Sequence, residues 1–393
     1  MKRFTILSAL LITACVAIDS EEPEPQTKEE AADINLEKLA RMFSELPLDE
    51  SHLQEVYDAV GASSGRGYDE EYTMDCLVSA PGSGVGAPPG TRAGGNYANP
   101  LRNLIRDYYS SHPVTKGPVE DLMAKLAASD YQLYWPYSEN WDGVTFPIIT
   151  FDPGFGAESN YGFEIRYLED GTRVVDSVYV DERLAKKRPV WVLNSNSDAA
   201  FTPLELFDTP HFAPGPYVVP LKAEGERNVS TKPRSRKTRQ LILKSFRMLR
   251  HYDSWFGGAS EFWVKCGSVE GFTASTEAEL KLYSPSVTDF IIVVKRKYIG
   301  KEMPFEVILV SDFTTQLDKL AFMITEDDGG TRTSWKCQAL VKIQSKTYGI
   351  ELDLPYNEKD DIVWRGQLSA RYFEEEDVVS GRFGDVIVNF ELD

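Results

Sequence analysis

The chain has 393 residues, is 42% hydrophobic and 12% aromatic, and carries a formal net charge of −19 at pH 7. This is enough apolar material for more than one core, so two domains are the first expectation. A field this acidic argues against nucleic acid and anionic lipid as partners held by overall charge, and it attracts cations.

Met1, Lys2 and Arg3 precede an apolar run from Phe4 to Ile12, followed by Thr13, Ala14 and Cys15. Basic residues, a short apolar run and small residues make a secretory signal. The run is too short to cross a bilayer, which takes ~20 apolar residues. Ile12-Thr13-Ala14-Cys15 resembles the lipobox of bacterial lipoproteins, which implies cleavage before Cys15 and a lipid on its sulfur. The next stretch carries Asp19, Glu21, Glu22, Glu24, Glu29, Glu30 and Asp33 with Pro23 and Pro25, and holds little that a core could bury. An acidic segment beside a lipidated cysteine resembles the surface-export signals of Bacteroidota-type lipoproteins. The expectation is a signal peptide over 1–14, a lipidated cysteine and acidic tether over 15–34, and an outer-membrane protein held through its lipid and facing the exterior.

The first folded stretch has helical spacing. Leu36, Leu39, Ala40, Phe43 and Leu46 share a face. Ser51-His-Leu-Gln54 reads as a capping box that starts a second helix, which Gly61 ends. Asn99-Pro100 and Gly117-Pro118 open two more, with Leu101, Leu104, Ile105 and Tyr108 on one, and Val119, Leu122, Met123 and Leu126 on the other. Between Ala80 and Pro100 lies a Gly/Pro-rich loop that lacks the Gly-Lys-Ser/Thr ending of a phosphate loop.

From Tyr131 the pattern turns to strands, near Gln132–Trp135, Phe146–Phe151, Tyr161–Tyr167, Arg173–Val180 and Val190–Leu193. Glu169-Asp170-Gly171 is a hairpin signal. A Pro- and Asp-rich loop runs from Asn194 to Pro220, and a basic linker follows over 221–238. Ten further strands are expected from Gln240 onward, including Ala278–Tyr283 and Val363–Phe373. The fold class is therefore an α+β N-terminal domain over 35–220, followed by an all-β antiparallel sandwich domain over 239–393. Apart from Cys15 the thiols are Cys76, Cys266 and Cys337; the last two both lie in strand-like segments, and alternation alone does not say whether they meet.

Recognisable catalytic spacing is absent. The four histidines, His52, His112, His211 and His251, show no metal-ligand spacing, and there is no Gly-x-Ser-x-Gly elbow. Two constellations stand out. His251-Tyr-Asp253 leads through Gly258-Ala-Ser-Glu261-Phe into one strand, and a later strand ends in Glu326-Asp327-Asp328-Gly329. This order resembles the C-two type of calcium- and phospholipid-binding sandwich, with Asp253 at the first ligand position, Glu261 replacing an Asp in the middle, and Glu326 with Asp328 at the last. The resemblance implies calcium held by Asp253, Glu261, Glu326 and Asp328, an ion that takes ~6–8 oxygen ligands. The second constellation is Tyr134, Trp135, Tyr137 and Trp141, aromatics dense enough to stack sugar rings or a protein partner. The functional expectation is a surface-anchored lipoprotein that binds a glycan, a protein or a cation without catalysis. The alternative is a secreted peptidase or glycosidase with a site between the two domains, using His211 or His251.

Overall fold

The computed structural model describes residues 35–65, 68–79, 97–112, 118–195, 238–374 and 378–393. Cys15 with its signal and tether, residues 80–96 of the Gly/Pro-rich loop, His211 and residues 221–237 of the basic linker lie outside these residues.

Helix α1 (Leu36–Glu45) starts at Asn35, whose side chain accepts the Lys38 N–H at 2.8 Å. Its Leu39, Ala40, Met42 and Phe43 are buried. Helix α2 spans Glu50–Ser64, and here the expected cap is displaced. Asp49, not Ser51, is the cap: its carboxylate accepts the N–H of Ser51 (2.9 Å) and of His52 (3.3 Å), while His52 Nδ1 accepts the Asp49 N–H at 3.1 Å. A histidine thus plays the part usually taken by Glu or Gln, and Gly61 lies inside the helix. The expected helices at Leu101 and Val119 form as well. In chain order there follow β1 (Glu71–Thr73), α3 (Met74–Val78), α4 (Leu101–Ser111), α5 (Val119–Ala127), β2 (Tyr131–Tyr134), β3 (Ile148–Phe151), β4 (Ser159–Tyr167), β5 (Arg173–Asp181), α6 (Glu182–Ala185) and β6 (Val190–Ser195).

The strands make one six-stranded sheet in the order β1-β2-β6-β3-β4-β5. Only β3 and β6 run parallel within it; the other neighbours are antiparallel. The β4–β5 turn closes where expected: Leu168 N–H reaches Thr172 O at 2.8 Å, and Gly171 takes φ +82°. Helix α1 lies over β3, β4 and β6.

The C-terminal region is largely antiparallel β structure. Strands β7 (Arg239–Met248), β10 (Met303–Phe313), β15 (Val378–Phe383) and β16 (Val386–Leu392) form a four-stranded sheet in the order β10-β7-β16-β15. Strands β8 (Ser260–Ser268), β9 (Ser286–Val294), β11 (Leu317–Glu326), β12 (Arg332–Ile343), β13 (Lys346–Asn357) and β14 (Asp361–Ser369) form the other, with β14 paired to β11. The two sheets share one core. Leu241, Leu243 and Phe246 come from the first, and Phe262, Val264, Phe290, Ile292 and Phe322 from the second. The run Leu320 to Ile324 is wholly buried, as an uninterrupted apolar stretch in a central strand should be. The strand expected at Ala278–Tyr283 is instead a 3-10 turn over Glu277–Leu282. Glu279 turns back to Ser275 N–H (2.8 Å) and Thr276 Oγ1 (3.0 Å), and this local capping outcompetes strand pairing. The strand expected to run to Phe373 stops at Ser369, and a 3-10 turn follows. Cys76, Cys266 and Cys337 are free thiols.

The described residues form one compact unit. The segment between β7 and β8 joins its halves: Trp255 and Phe256 are fully buried among Tyr134, Ile148, Val180, Val190 and Val192 of the N-terminal sheet. Trp255 Nε1 donates to Glu158 O at 3.0 Å, and Asn194 Nδ2 donates to the carbonyls of Phe256 and Gly257, both at 2.9 Å.

Candidate cation centre

That same clamped segment carries Asp253. Its far end is fixed by Asp69, which accepts the Ala259 N–H at 2.9 Å. Gly258 is needed for this approach: it takes φ +117°, and a Cβ there would stand 2.4 Å from Asp69 Oδ2. From the other end Arg296 donates to Asp253 O at 3.3 Å while its Nε holds Glu182 at 3.0 Å. Asp253 is thus presented by a braced loop.

Glu261 and Glu326 reach the same place from adjoining strands. Strand β8 pairs with β11, Phe262 standing opposite Glu326, and the next rung is Asp327 N–H to Glu261 O at 2.9 Å. One carboxylate oxygen from each of Asp253, Glu261 and Glu326 lies within 4.8 Å of the others. Glu326 is 1% exposed and Glu261 7%. Asp253 Oδ2 and Glu326 Oε1 are closed off from solvent and have no hydrogen-bond partner among the described residues. Burial pushes the Asp253 carboxyl up, against hydrogen bonds from Glu326 and Ser260 and the field of Arg296. Burial also pushes Glu326 far up, and its shared hydrogen bond and repulsion with Asp253 add to this. Two acidic groups this close and this dry cannot both ionise unaided.

Asp328 is not among the three converging carboxylates. It is exposed at the rim, and desolvation first, then the charges of Asp253, Asp361 and Asp360, lift it to about 6. Asp327 shapes the turn instead, accepting from Trp263 Nε1 at 3.1 Å and from Gly329 N–H at 3.0 Å.

The aromatic constellation is not an exposed platform. Tyr134 and Trp135 are each 1% exposed and belong to the core. Tyr137 is partly buried and donates to Glu182 at 2.6 Å; Trp141 packs edge-on against Trp135 with centroids 5.3 Å apart. Tyrosine and tryptophan can fill a core of this kind because they bring a large apolar body with a polar tip that can be paired. His251 lies near the braced loop, its Nδ1 3.5 Å from Ser260 Oγ, and burial with the Arg296 charge lowers it to about 4. Ser260 is fully buried, so this pair presents no nucleophile to a substrate.

A second acidic pair, Asp69 and Glu70, carries no sequence motif, yet both residues are buried between the halves. Lys265 and Asp289 are likewise buried. The one sign of Lys265 in the sequence is a lysine inside the apolar run Phe262-Trp-Val-Lys-Cys266.

No family model, curated protein or solved structure matches the chain.

Proposed function

We propose that this protein is a non-catalytic binding module of the cell surface, built around a divalent-cation centre on Asp253, Glu261 and Glu326. The observation that carries the reading is the pair of buried carboxylate oxygens left without partners, Asp253 Oδ2 and Glu326 Oε1, inside a three-carboxylate cluster. The donors are oxygen only and each carboxylate offers two, which suits calcium among common cations. Asp328 at the rim adds field. The surrounding C-terminal region is read as an antiparallel β-sandwich whose loops converge on the centre, in keeping with the C-two resemblance of Asp253, Glu261 and Glu326. When bound, the ion supplies the positive charge the cluster lacks, and Glu326 gives up its proton, so affinity rises with pH. The lipobox resemblance around Cys15 supports attachment to the outer membrane through a lipid on that residue, with the module facing outward.

Titration calorimetry of the intact protein with calcium tests this. The expected result is saturable binding with proton release above about pH 6, lost in Glu326→Gln. Absence of binding in the wild type, or unchanged binding in Glu326→Gln, overturns it. For the anchor, Cys15→Ser is expected to move the protein from the membrane to the soluble fraction.

A further inference from the structure

Strand β8 alternates. Phe262, Val264 and Cys266 enter the core shared by the two sheets, which puts Trp263, Lys265 and Gly267 on the other face. The β12–β13 hairpin comes down on that other face: a Cβ at Gly267 would meet Leu352 Cδ1 at 2.4 Å. Further along, hairpin and strand part and leave a cavity of about 90 Å³, lined by Trp263 and Lys265 of β8, Asp289 of β9, Arg332 and Tyr356 of the hairpin, and Asp360 just beyond it.

The polar groups at its base are incomplete. Lys265 is 3% exposed and Asp289 8%. Their closest approach, Nζ to Oδ1, is 3.4 Å, long for a charge-assisted hydrogen bond, which runs at ~2.7–2.9 Å. Asp289 Oδ1 is sealed from solvent and accepts no hydrogen bond among the described residues. The ammonium lies 4.5 Å over the Trp263 ring. Burial draws the two together in charge, pushing Asp289 up to about 6 and Lys265 down. A donor with spare N–H groups thus stands beside an acceptor with spare lone pairs.

The ligand chemistry follows from elimination. The lining carries two cations, Lys265 and Arg332, and two carboxylates, Asp289 and Asp360, so its charges balance and a neutral ligand is favoured over an ion. A hydroxyl completes both at once, accepting from Nζ and donating to Oδ1. Tyr356, partly exposed, brings an aromatic ring to the wall, and the overall charge of −19 disfavours polyanionic glycans. We propose that the cavity between β8 and the β12–β13 hairpin takes the hydroxyl-bearing edge of a neutral saccharide ring, one hydroxyl bridging Lys265 and Asp289 and the rest of the ring standing at the cavity's open mouth. This site does not rest on the cation centre.

Saturation-transfer NMR on the intact protein against a panel of neutral methyl glycosides tests it, with chelator present throughout. At least one glycoside is expected to show saturable transfer to its ring protons. Asp289→Asn should weaken it about tenfold or more, as loss of a hydrogen bond to a charged group does. Tyr356→Ala, at the wall and away from the buried pair, should weaken it by a similar factor; it decides the matter if Asp289→Asn fails to fold. No saturable glycoside in the panel means that the cavity holds water only and overturns the proposal. So does binding that both variants leave unchanged.

Discussion

Among the described residues, two buried acidic clusters are treated in opposite ways. Asp69 and Glu70 are 3% and 4% exposed, but each is answered. Asp69 accepts the N–H of Glu70 at 2.7 Å and of Ala259 at 2.9 Å, and Lys297 Nζ stands 2.9 Å from Glu70. Lys295 is close by, tied to Ser64 O at 2.7 Å and Ser64 Oγ at 2.9 Å. Asp253, Glu261 and Glu326 form the other cluster, and there two of the oxygens are unanswered. Burial raises carboxyl groups in both places. The difference lies in the supply of cations. In the first cluster lysine, arginine and backbone N–H groups of the chain itself complete the site, so it is a staple between the halves. In the second the chain brings mostly carboxylates, with Arg296 engaged chiefly by Glu182, and the cation centre proposed above would supply the balancing charge.

The staple region should break hardest. Trp255→Ala empties a fully buried site stacked 4.0 Å from Phe256 and is expected to cost about 3–5 kcal/mol in denaturant unfolding. Lys297→Met leaves Glu70 buried without its partner; about 1.5–3 kcal/mol is the expected loss by the same measurement. Glu326→Gln should do the reverse of this. Without added cation it removes a strained acid rather than a satisfied one, so stability is expected to stay within about 1 kcal/mol of wild type or to rise. A loss as large as that of Lys297→Met would make the two clusters alike.

Parts of this contrast are readable in the sequence. Asp253, Glu261, Glu326 and Asp328 are singled out through the resemblance of their loop, strand and strand-end order to a C-two sandwich, and the first three of them converge. That order does not separate Glu326 from its neighbours: Asp327 and Asp328 are acidic too, and only the β8–β11 register turns Glu326 inward. Asp69 and Glu70 stay hidden because their burial comes from Ala259 and Lys297, which lie 190 and 227 residues along the chain. The aromatic run at Tyr134 shows the limit of composition: tyrosine and tryptophan serve a core and a binding face equally well, and tertiary packing decides. At Ala278 the alternation of apolar residues suggests a strand, while Thr276 and Glu279, spaced as a capping pair, point to the turn that forms.

The most direct test of the contrast is the thermal midpoint of the intact protein as a function of pH, with chelator and with calcium. Glu326 has its carboxyl raised from an ordinary value of 4.5 in the folded state, so the folded chain holds a proton that the unfolded chain releases. Its contribution to stability is therefore full below about pH 4.5 and is lost progressively as the pH rises above that. With chelator the wild-type midpoint should fall between about pH 5 and pH 8 more steeply than that of Glu326→Gln. Calcium should lift the wild-type midpoint at the upper end of that range, the more so the higher the pH, and leave Glu326→Gln unmoved. Equal slopes in wild type and variant, with no response to calcium, would contradict this and make the second cluster as self-sufficient as the first.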